Sequence, residues 1–175
     1  VKAVFFIGAG ERAFCAGGDL KAFHRAGMDF RRGQAVSKVP AIFFAEEYSM
    51  NRQIFHYPKP TIAFMNGITM GGGYGIAGNC KYQIATGKTV FAMPETGIGF
   101  FPDVGSVYHL LKYPNHIGRY LALTGVSIKG WDVIHAGIAD CFIDAGKGQA
   151  LIGALENSAL NADAIENILR ANAEK

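Results

Sequence analysis

The sequence predicts an α/β protein in which buried strands alternate with helices. Short apolar runs of strand character, such as Val1–Ile7 and Thr61–Met65, are followed by glycine-rich turns. Segments with apolar residues at helical spacing separate these runs, and the 23 glycines are concentrated at a few turns. Alternation of this kind is typical of α/β folds, whose ligand sites collect at strand ends.

The first half of the chain provides three clear elements. Val1–Ile7 is a continuous apolar run, which predicts a strand that is buried on both faces. A loop follows and ends at Asp19, whose carboxylate is suited to the N-cap of a helix that begins with LKAF. Pro40 then opens a predicted helix that runs through His56, with apolar residues on one side.

The second half begins with two further predicted strands, Gln83–Thr86 and Thr89–Met93. Only Gly87 and Lys88 separate them, a spacing that is typical of a β-hairpin. Beyond Gly105 the pattern becomes helical, and one more strand is predicted before the C-terminal region. These later segments are the helical runs SVYHLLKY, HIGRYLALTG and KGWDVIHAG, the strand Ile138–Ile143, and the helical spacing over Leu151–Leu169.

Composition limits the classes of function. A chain of 175 residues is long enough for a single domain with a sizeable core. The net charge is only +3 and the basic runs do not exceed the pair Arg31 and Arg32, which argues against a nucleic-acid partner. Apolar runs stay short of the ~18 residues of a membrane span. Three scattered cysteines without a CxxC pair favour a reducing compartment, so we expect a soluble protein of the cytosol or an organelle matrix.

The densest glycine cluster, from Gly71 to Gly78, permits two functional interpretations. Gly73, Gly75 and Gly78 satisfy the dinucleotide pattern GxGxxG, but the seven residues Asn66 to Gly72 separate this pattern from the strand that ends at Met65. Alternatively, the N–H of Gly72 at a helix start could stabilise a developing oxyanion, which usually requires a second donor. The small residues that follow FC in the loop FCAGG could supply it, although a tight strand-to-helix turn explains them equally well.

Two carboxylates lie in an otherwise apolar segment. Glu95 and Asp103 are eight residues apart across TGIGFFP, where burial costs free energy unless the acids have a partner or a task. If the loop bends back, both acids face one cavity and their repulsion raises one pKa. The alternative is a helix N-cap for Asp103 and an N-cap or surface turn for Glu95.

Other candidates are weaker. Cys15 lies near the glycine loop but has no basic residue at a recognisable spacing, so a small buried filler is the better interpretation. The five histidines form no HxH or HxxxH pair, so a metal site is not indicated. Glu47 lies on the predicted helix and would ordinarily be a solvated surface acid.

Four stretches together resemble the crotonase (enoyl-CoA hydratase/isomerase) superfamily. They are GERAFCAGGDLKAF, KPTIAFMNGITMGGGYGIAG, FAMPETGIGFFPDVGSVYHL, and LALTG with KGWDVIHAGIAD, in this order. The resemblance covers roughly residues 1–144 and is strongest to the 3-hydroxyisobutyryl-CoA hydrolase branch. It implies a crotonase-like (ClpP/crotonase) spiral of ββα units, truncated at both ends, with a core over 1–145 and a helical segment over 146–175.

The resemblance also implies functional residues. The amides of Ala16 and Gly72 would form an oxyanion hole for an acyl-CoA thioester, and Glu95 would attack the carbonyl or activate water. Asp103 would bind the 3-hydroxyl group, and Glu47 maps to a substrate-contacting glutamate of that branch. The implied reaction is hydrolysis of a short branched 3-hydroxyacyl-CoA in valine catabolism. It needs neither a metal nor a redox cofactor, because coenzyme A is part of the substrate.

Two alternatives remain at this level. A hydratase or isomerase would use Glu95 alone, whereas related hydratases carry a second glutamate at the position of Gly75. A catalytically inactive CoA-binding or assembly module is the other alternative, because family members extend further at both ends. Assembly with copies of itself, and a mitochondrial location if the organism is eukaryotic, complete the expectations.

Overall fold

The first six strands alternate between two four-stranded sheets in the computed structural model, which describes residues 1–174. The first sheet has the order β1-β3-β5-β8, and all its neighbouring strands are parallel. Its strands are Val4–Ile7 (β1), Thr61–Met65 (β3), Tyr82–Ala85 (β5) and Cys141–Phe142 (β8).

The second sheet takes the strand that follows each of the first three. Its order is β2-β4-β6-β7, with β7 antiparallel to β6 and the other pairs parallel. Its strands are Ala13–Cys15 (β2), Ile68–Met70 (β4), Val90–Ala92 (β6) and Ile128–Lys129 (β7). The repeated step from one sheet to the other is the ββα spiral that the resemblance to the crotonase superfamily implies.

Helices connect and cover the sheets. Two of them, α1 (Leu20–Arg31) and α2 (Val39–Phe55), lie between β2 and β3, and Asp19 caps α1 as predicted, accepting from the amides of Lys21 and Ala22. The later helices are α3 (Gly72–Ala77), α4 (Ser106–Leu110), α5 (Ile117–Thr124), α6 (Trp131–His135), α7 (Gly148–Glu156) and α8 (Ala162–Asn172). Short 3₁₀ helices cover Pro94–Ile98, Pro114–His116 and Ala145–Lys147. Within residues 1–174, no helix combines the length and the apolar character needed to cross a bilayer.

Two buried apolar clusters hold these layers together. The larger one lies between the sheets and includes Met65, Tyr74 and Phe91, each at most 1% exposed. The smaller one lies on the other face of the first sheet, where Ile84 packs with residues of α7 and α8 such as Leu151. The C-terminal helices therefore share a core with the first sheet.

Several sequence predictions about the elements are wrong. The hairpin between β5 and β6 does not form, because the two strands belong to different sheets. In the part of the chain that the structure describes, β1 pairs only with β3, and Ile7 is 54% exposed, so β1 is an edge strand. The segment Leu151–Leu169 is not one helix, since it breaks between α7 and α8.

Thr89 stabilises the corner at which the chain crosses from the first sheet to the second. Its hydroxyl donates to the carbonyl oxygen of Met65 at 2.5 Å and accepts from the amide of Thr86 at 2.7 Å. The residue is fully buried. One side chain thus satisfies the buried Thr86 amide and gives the Met65 carbonyl, which also accepts from the Gly67 amide, a second donor.

Thr89→Val is expected to lower the free energy of unfolding by about 1–3 kcal/mol, because the nearly isosteric variant leaves the buried Thr86 amide unsatisfied and removes one of the two donors to the Met65 carbonyl. Chemical denaturation measures this change. Thr124→Val is the matched control, since Thr124 donates to a backbone carbonyl but is exposed. Equal losses in the two variants would contradict the role of Thr89.

Candidate active site

Three neighbouring parallel strands of the second sheet end at the same edge, and the predicted site residues lie just beyond their carboxyl ends. Cys15 of β2 lies opposite Thr69 of β4, after an irregularity in their register, and Met70 of β4 lies opposite Ala92 of β6. The residues that follow their carboxyl ends are Ala16, Gly72 and Glu95. Residues far apart in sequence therefore meet at one edge of the sheet, as ligand-binding residues commonly do in parallel α/β sheets.

Three consecutive glycines lie where other groups need the space of a side chain. A Cβ atom on Gly71 would lie 2.7 Å from Oε1 of Glu95. One on Gly72 would collide with Oε1 of Glu47, and one on Gly73 would collide with the carbonyl oxygen of Cys15. The absence of side chains thus allows two carboxylates to approach the start of α3.

The two loops that were predicted to carry backbone donors are adjacent. A Cβ on Gly17, which has a φ of +90°, would lie 3.2 Å from the backbone nitrogen of Gly72. Gly72 is the first residue of α3, and first-turn amides have no partner within their own helix. Ala16 directly precedes Gly17 and is exposed. The structure therefore brings the segments of Ala16 and Gly72 together.

Glu95 is held in a buried position by the 3₁₀ turn Pro94–Ile98. It is 8% exposed, and no hydrogen-bond partner for Oε2 is found among residues 1–174. Burial raises its pKa, a hydrogen bond from its own backbone amide opposes the rise, and the charge of Asp103 adds to it. A buried carboxylate with an unpaired oxygen is unusual and points to a functional position.

Asp103 does not cap a helix, so that alternative is wrong. Helix α4 begins only after Gly105 and has no side-chain cap. The Asp103 carboxylate instead accepts a hydrogen bond from the Tyr48 hydroxyl, with 2.6 Å between Oη and Oδ2. Asp103 and Tyr48 are 55 positions apart, so this contact joins helix α2 to the loop after β6.

Glu47 shares the electrostatic environment of the other two acids. It is half-buried on α2, and its pKa rises to about 7 because of burial, then the charge of Asp103, then that of Glu95. The interpretation of Glu47 as an ordinary surface acid is therefore wrong. Three carboxylates from three separate elements form one cluster.

Two cavities border this cluster. One of about 380 Å³ is lined by Gly72, Glu47, Cys15 and the Gly17–Gly18 turn. The other, of about 590 Å³, is lined by Asp103, Tyr48 and apolar residues such as Phe55 and Val104. Glu47 and Tyr48 are consecutive in α2, so this single turn of helix contributes to both cavities.

The dinucleotide interpretation of GxGxxG does not fit the structure. Strand β4, which sequence reasoning missed, does end just before the cluster. However, the three glycines face protein atoms: Gly73 the Cys15 carbonyl, Gly75 the Val104 side chain, and Gly78 the ring of Tyr74. Their role is close packing of α3.

Sequence reasoning missed several residues beside the site. Tyr48 could have been found from the EEY stretch, since it directly follows Glu47. Asn51 lies one helical turn after Glu47, is 5% exposed, and has no partner for its amide within the described chain. The left-handed backbone of Val104, with a φ of +51°, leaves no signal in the sequence.

Comparison with known proteins identifies the class. A family model described as enoyl-CoA hydratase/isomerase matches residues 1–175. The chain therefore belongs to the enoyl-CoA hydratase/isomerase family. A carnitinyl-CoA dehydratase from Mycobacterium thermoresistibile has a TM-score of 0.81 at 38% identity, covering 100% of this chain and 48% of that protein. An enoyl-CoA hydratase from Rhodobacter sphaeroides has a TM-score of 0.81 at 34% identity, with coverages of 100% and 54%. The expected crotonase fold is confirmed.

Curated relatives point to one branch of this family. A protein of Danio rerio named 3-hydroxyisobutyryl-CoA hydrolase, mitochondrial, is 49% identical over 148 residues, or 85% of this chain and 37% of that protein. The Homo sapiens protein of the same name is 45% identical over 144 residues, with coverages of 82% and 36%. The chain thus spans little more than a third of the length of these relatives. The predicted resemblance to the hydrolase branch is confirmed.

Glu47→Gln is expected to increase the free energy of unfolding above pH 7, by an amount on the order of 1 kcal/mol after solvent screening. The pKa of Glu47 rises from 4.5 to about 7 on folding. The protonated form therefore stabilises the fold below about pH 4.5, and this contribution is lost as the pH rises through 7.

Chemical denaturation of the wild type and the variant between pH 4 and pH 8.5 measures this effect. The matched control is Glu46→Gln, which removes an exposed carboxylate from the preceding residue of the same helix. Parallel pH curves for the wild type and Glu47→Gln would contradict the prediction.

Proposed function

We propose that the protein hydrolyses the thioester of a short branched 3-hydroxyacyl-CoA such as 3-hydroxyisobutyryl-CoA. The observation that supports this most is the cluster of Glu47, Glu95 and Asp103 beside the start of α3. The names of the curated relatives supply the substrate class. A mitochondrial location, as in those names, and a place in valine breakdown belong to the same proposal.

The backbone amides of Ala16 and Gly72 would bind the thioester carbonyl oxygen. Two converging donors stabilise the negative charge that develops on this oxygen more strongly in the transition state than in the ground state. The approach of Gly17 to the Gly72 nitrogen supports a site at which both amides can point to one oxygen.

Glu95 would be the nucleophile or the general base. As a base, Glu95 takes a proton from water while the water oxygen bonds to the carbonyl carbon, the carbon–sulfur bond breaks, and the coenzyme A sulfur leaves as the thiol after taking a proton with the help of Asp103. As a nucleophile, Glu95 itself displaces the sulfur, and water then hydrolyses the resulting anhydride, which releases the acid and restores the Glu95 carboxylate. Burial raises the pKa of Glu95, which makes this carboxylate a stronger base than an exposed glutamate.

Asp103 would bind the 3-hydroxyl group of the substrate and assist protonation of the leaving group. Its position at the larger cavity, with the Tyr48 hydroxyl holding one carboxylate oxygen, leaves the other oxygen available for such a contact. Glu47, with a pKa of about 7, would contact the substrate as a carboxylic acid or a carboxylate.

Hydration of an enoyl-CoA is the second candidate, and position 75 argues against it. A Cβ atom on Gly75 would lie 2.6 Å from Cβ of Val104 and 3.1 Å from the amide nitrogen of Asn51. The space that a second glutamate would need is therefore filled by two other residues.

Cys15 borders the smaller cavity, but that lining contains no histidine to activate it.

The purified protein is expected to release free thiol from 3-hydroxyisobutyryl-CoA, and Glu95→Gln is expected to lower kcat by at least about 10³-fold, as loss of a nucleophile or base does. A thiol reagent follows the reaction, and circular dichroism verifies folding of the variant. Glu156→Gln, an exposed change on α7, is the matched control.

Other results would favour the alternatives. Loss of enoyl absorbance with crotonyl-CoA, without thiol release from the first substrate, would favour hydration. An unchanged rate of thiol release in Glu95→Gln would favour a catalytically inactive CoA-binding module.

A further inference from the structure

We propose that Asn79 and Tyr48 are positioning residues that hold Asp103 in place from two sides, and thereby determine the preference for a 3-hydroxylated acyl group. This inference rests on the proposed function, in which Asp103 binds the 3-hydroxyl group. It concerns two residues that lie outside the predicted catalytic set.

The turn that carries Asp103 has an unfavourable backbone. Val104 has a φ of +51° and Gly105 a φ of +80°, and Val104 is 3% exposed. A β-branched residue in the left-handed region is a steric outlier, which persists only when surrounding contacts impose it. Without such contacts, the turn would relax and carry the Asp103 carboxylate away.

Asn79 imposes the backbone of this turn. Its amide nitrogen donates to the carbonyl oxygen of Val104 at 3.1 Å and to that of Gly75 at 2.7 Å. Its amide oxygen lies 3.1 Å from Nε2 of His109. Gly75 belongs to α3, the helix that begins with the Gly72 amide, so Asn79 ties the Asp103 turn to the helix of the oxyanion hole.

Packing against α3 supports the same arrangement. The Val104 side chain occupies the space beside Gly75, where an added Cβ would lie only 2.6 Å from that of Val104. The strained residue is therefore held by a hydrogen bond to its carbonyl and by burial of its side chain. Both restraints act on the residue directly after Asp103.

Tyr48 restrains the carboxylate itself. Its hydroxyl donates to Oδ2 of Asp103 at 2.6 Å, a short bond to an acidic acceptor. The ring of Tyr48 is held in turn by Phe44, whose ring centroid lies 5.6 Å away, and Phe44 stacks on Phe100 of the loop before Asp103. Asn79 thus positions the backbone and Tyr48 orients the side chain.

Comparison of substrates with and without the 3-hydroxyl group tests the proposal. In the protein with Tyr48→Phe, kcat/KM for 3-hydroxyisobutyryl-CoA is expected to fall about tenfold or more, as for loss of a hydrogen bond to a charged group. For isobutyryl-CoA, which lacks the hydroxyl, kcat/KM is expected to fall by a clearly smaller factor, because Asp103 can then only assist protonation of the leaving group and has no 3-hydroxyl group to bind. Tyr120→Phe, an exposed change on α5, is the control.

Asn79→Leu keeps the branched shape of the side chain but removes both donated hydrogen bonds. It is expected to lower the substrate ratio, that is, kcat/KM for 3-hydroxyisobutyryl-CoA divided by kcat/KM for isobutyryl-CoA. Asn157→Leu is its control, since Asn157 donates to the carbonyl four residues earlier, as Asn79 does, but is itself exposed at the C-terminal end of α7. If Asn79→Leu does not fold, Tyr48→Phe still tests the positioning proposal. This variant is expected to fold, because Tyr48 is 40% exposed and phenylalanine keeps the ring.

A double-mutant cycle with Asp103→Ala separates the two proposals. If Asp103→Ala lowers the substrate ratio and abolishes any further effect of Tyr48→Phe and Asn79→Leu, the positioning roles are supported. If it lowers the ratio while the two variants leave it unchanged, or lower both substrates equally, the positioning roles are overturned and the proposed function stands. If Asp103→Ala changes neither substrate, the proposed role of Asp103 is itself overturned.

Discussion

The site depends on one steric constraint, the absence of side chains at Gly71, Gly72 and Gly73. The carboxylates of Glu95 and Glu47 and the carbonyl of Cys15 each occupy the space that a Cβ atom would take. Helix α3 can therefore start directly beside two acids and the loop after β2. Even one added methyl group would require the backbone or a carboxylate to move. Such a substitution would therefore disturb the geometry of the site more than the packing of the core.

The acids gathered in this way oppose folding. Burial, followed by repulsion from the charge of Asp103, raises the pKa of both Glu47 and Glu95, so the charged forms of these two acids lower the stability of the fold. The left-handed backbone of Val104 adds strain at the same place. Such features persist where function requires them, and the surrounding hydrogen bonds and packed cores compensate for their cost.

Much of the architecture could be predicted from local patterns, and the predictions that were wrong have a common cause. The strand Thr61–Met65 and the cap at Asp19 depend on a few adjacent residues, and both are present as predicted. The false hairpin arose because Gly87 and Lys88 form a tight connection whichever sheet receives the next strand. Strands such as β2 and β4 have three residues each, too short for a periodic pattern to distinguish them from loops.

The sequence by itself determined which chemical groups follow the strand ends, and its concatenated motifs identified the family. The sequence shows directly that small residues follow β2 and β4 and that an acid follows β6. Only the tertiary structure decided that Glu47 joins the acids, that Tyr48 holds Asp103, and that Val104 fills the space beside Gly75. These contacts join residues some 30 to 55 positions apart. Burial and charge proximity, which shift each pKa, exist only once the sheets bring those residues together.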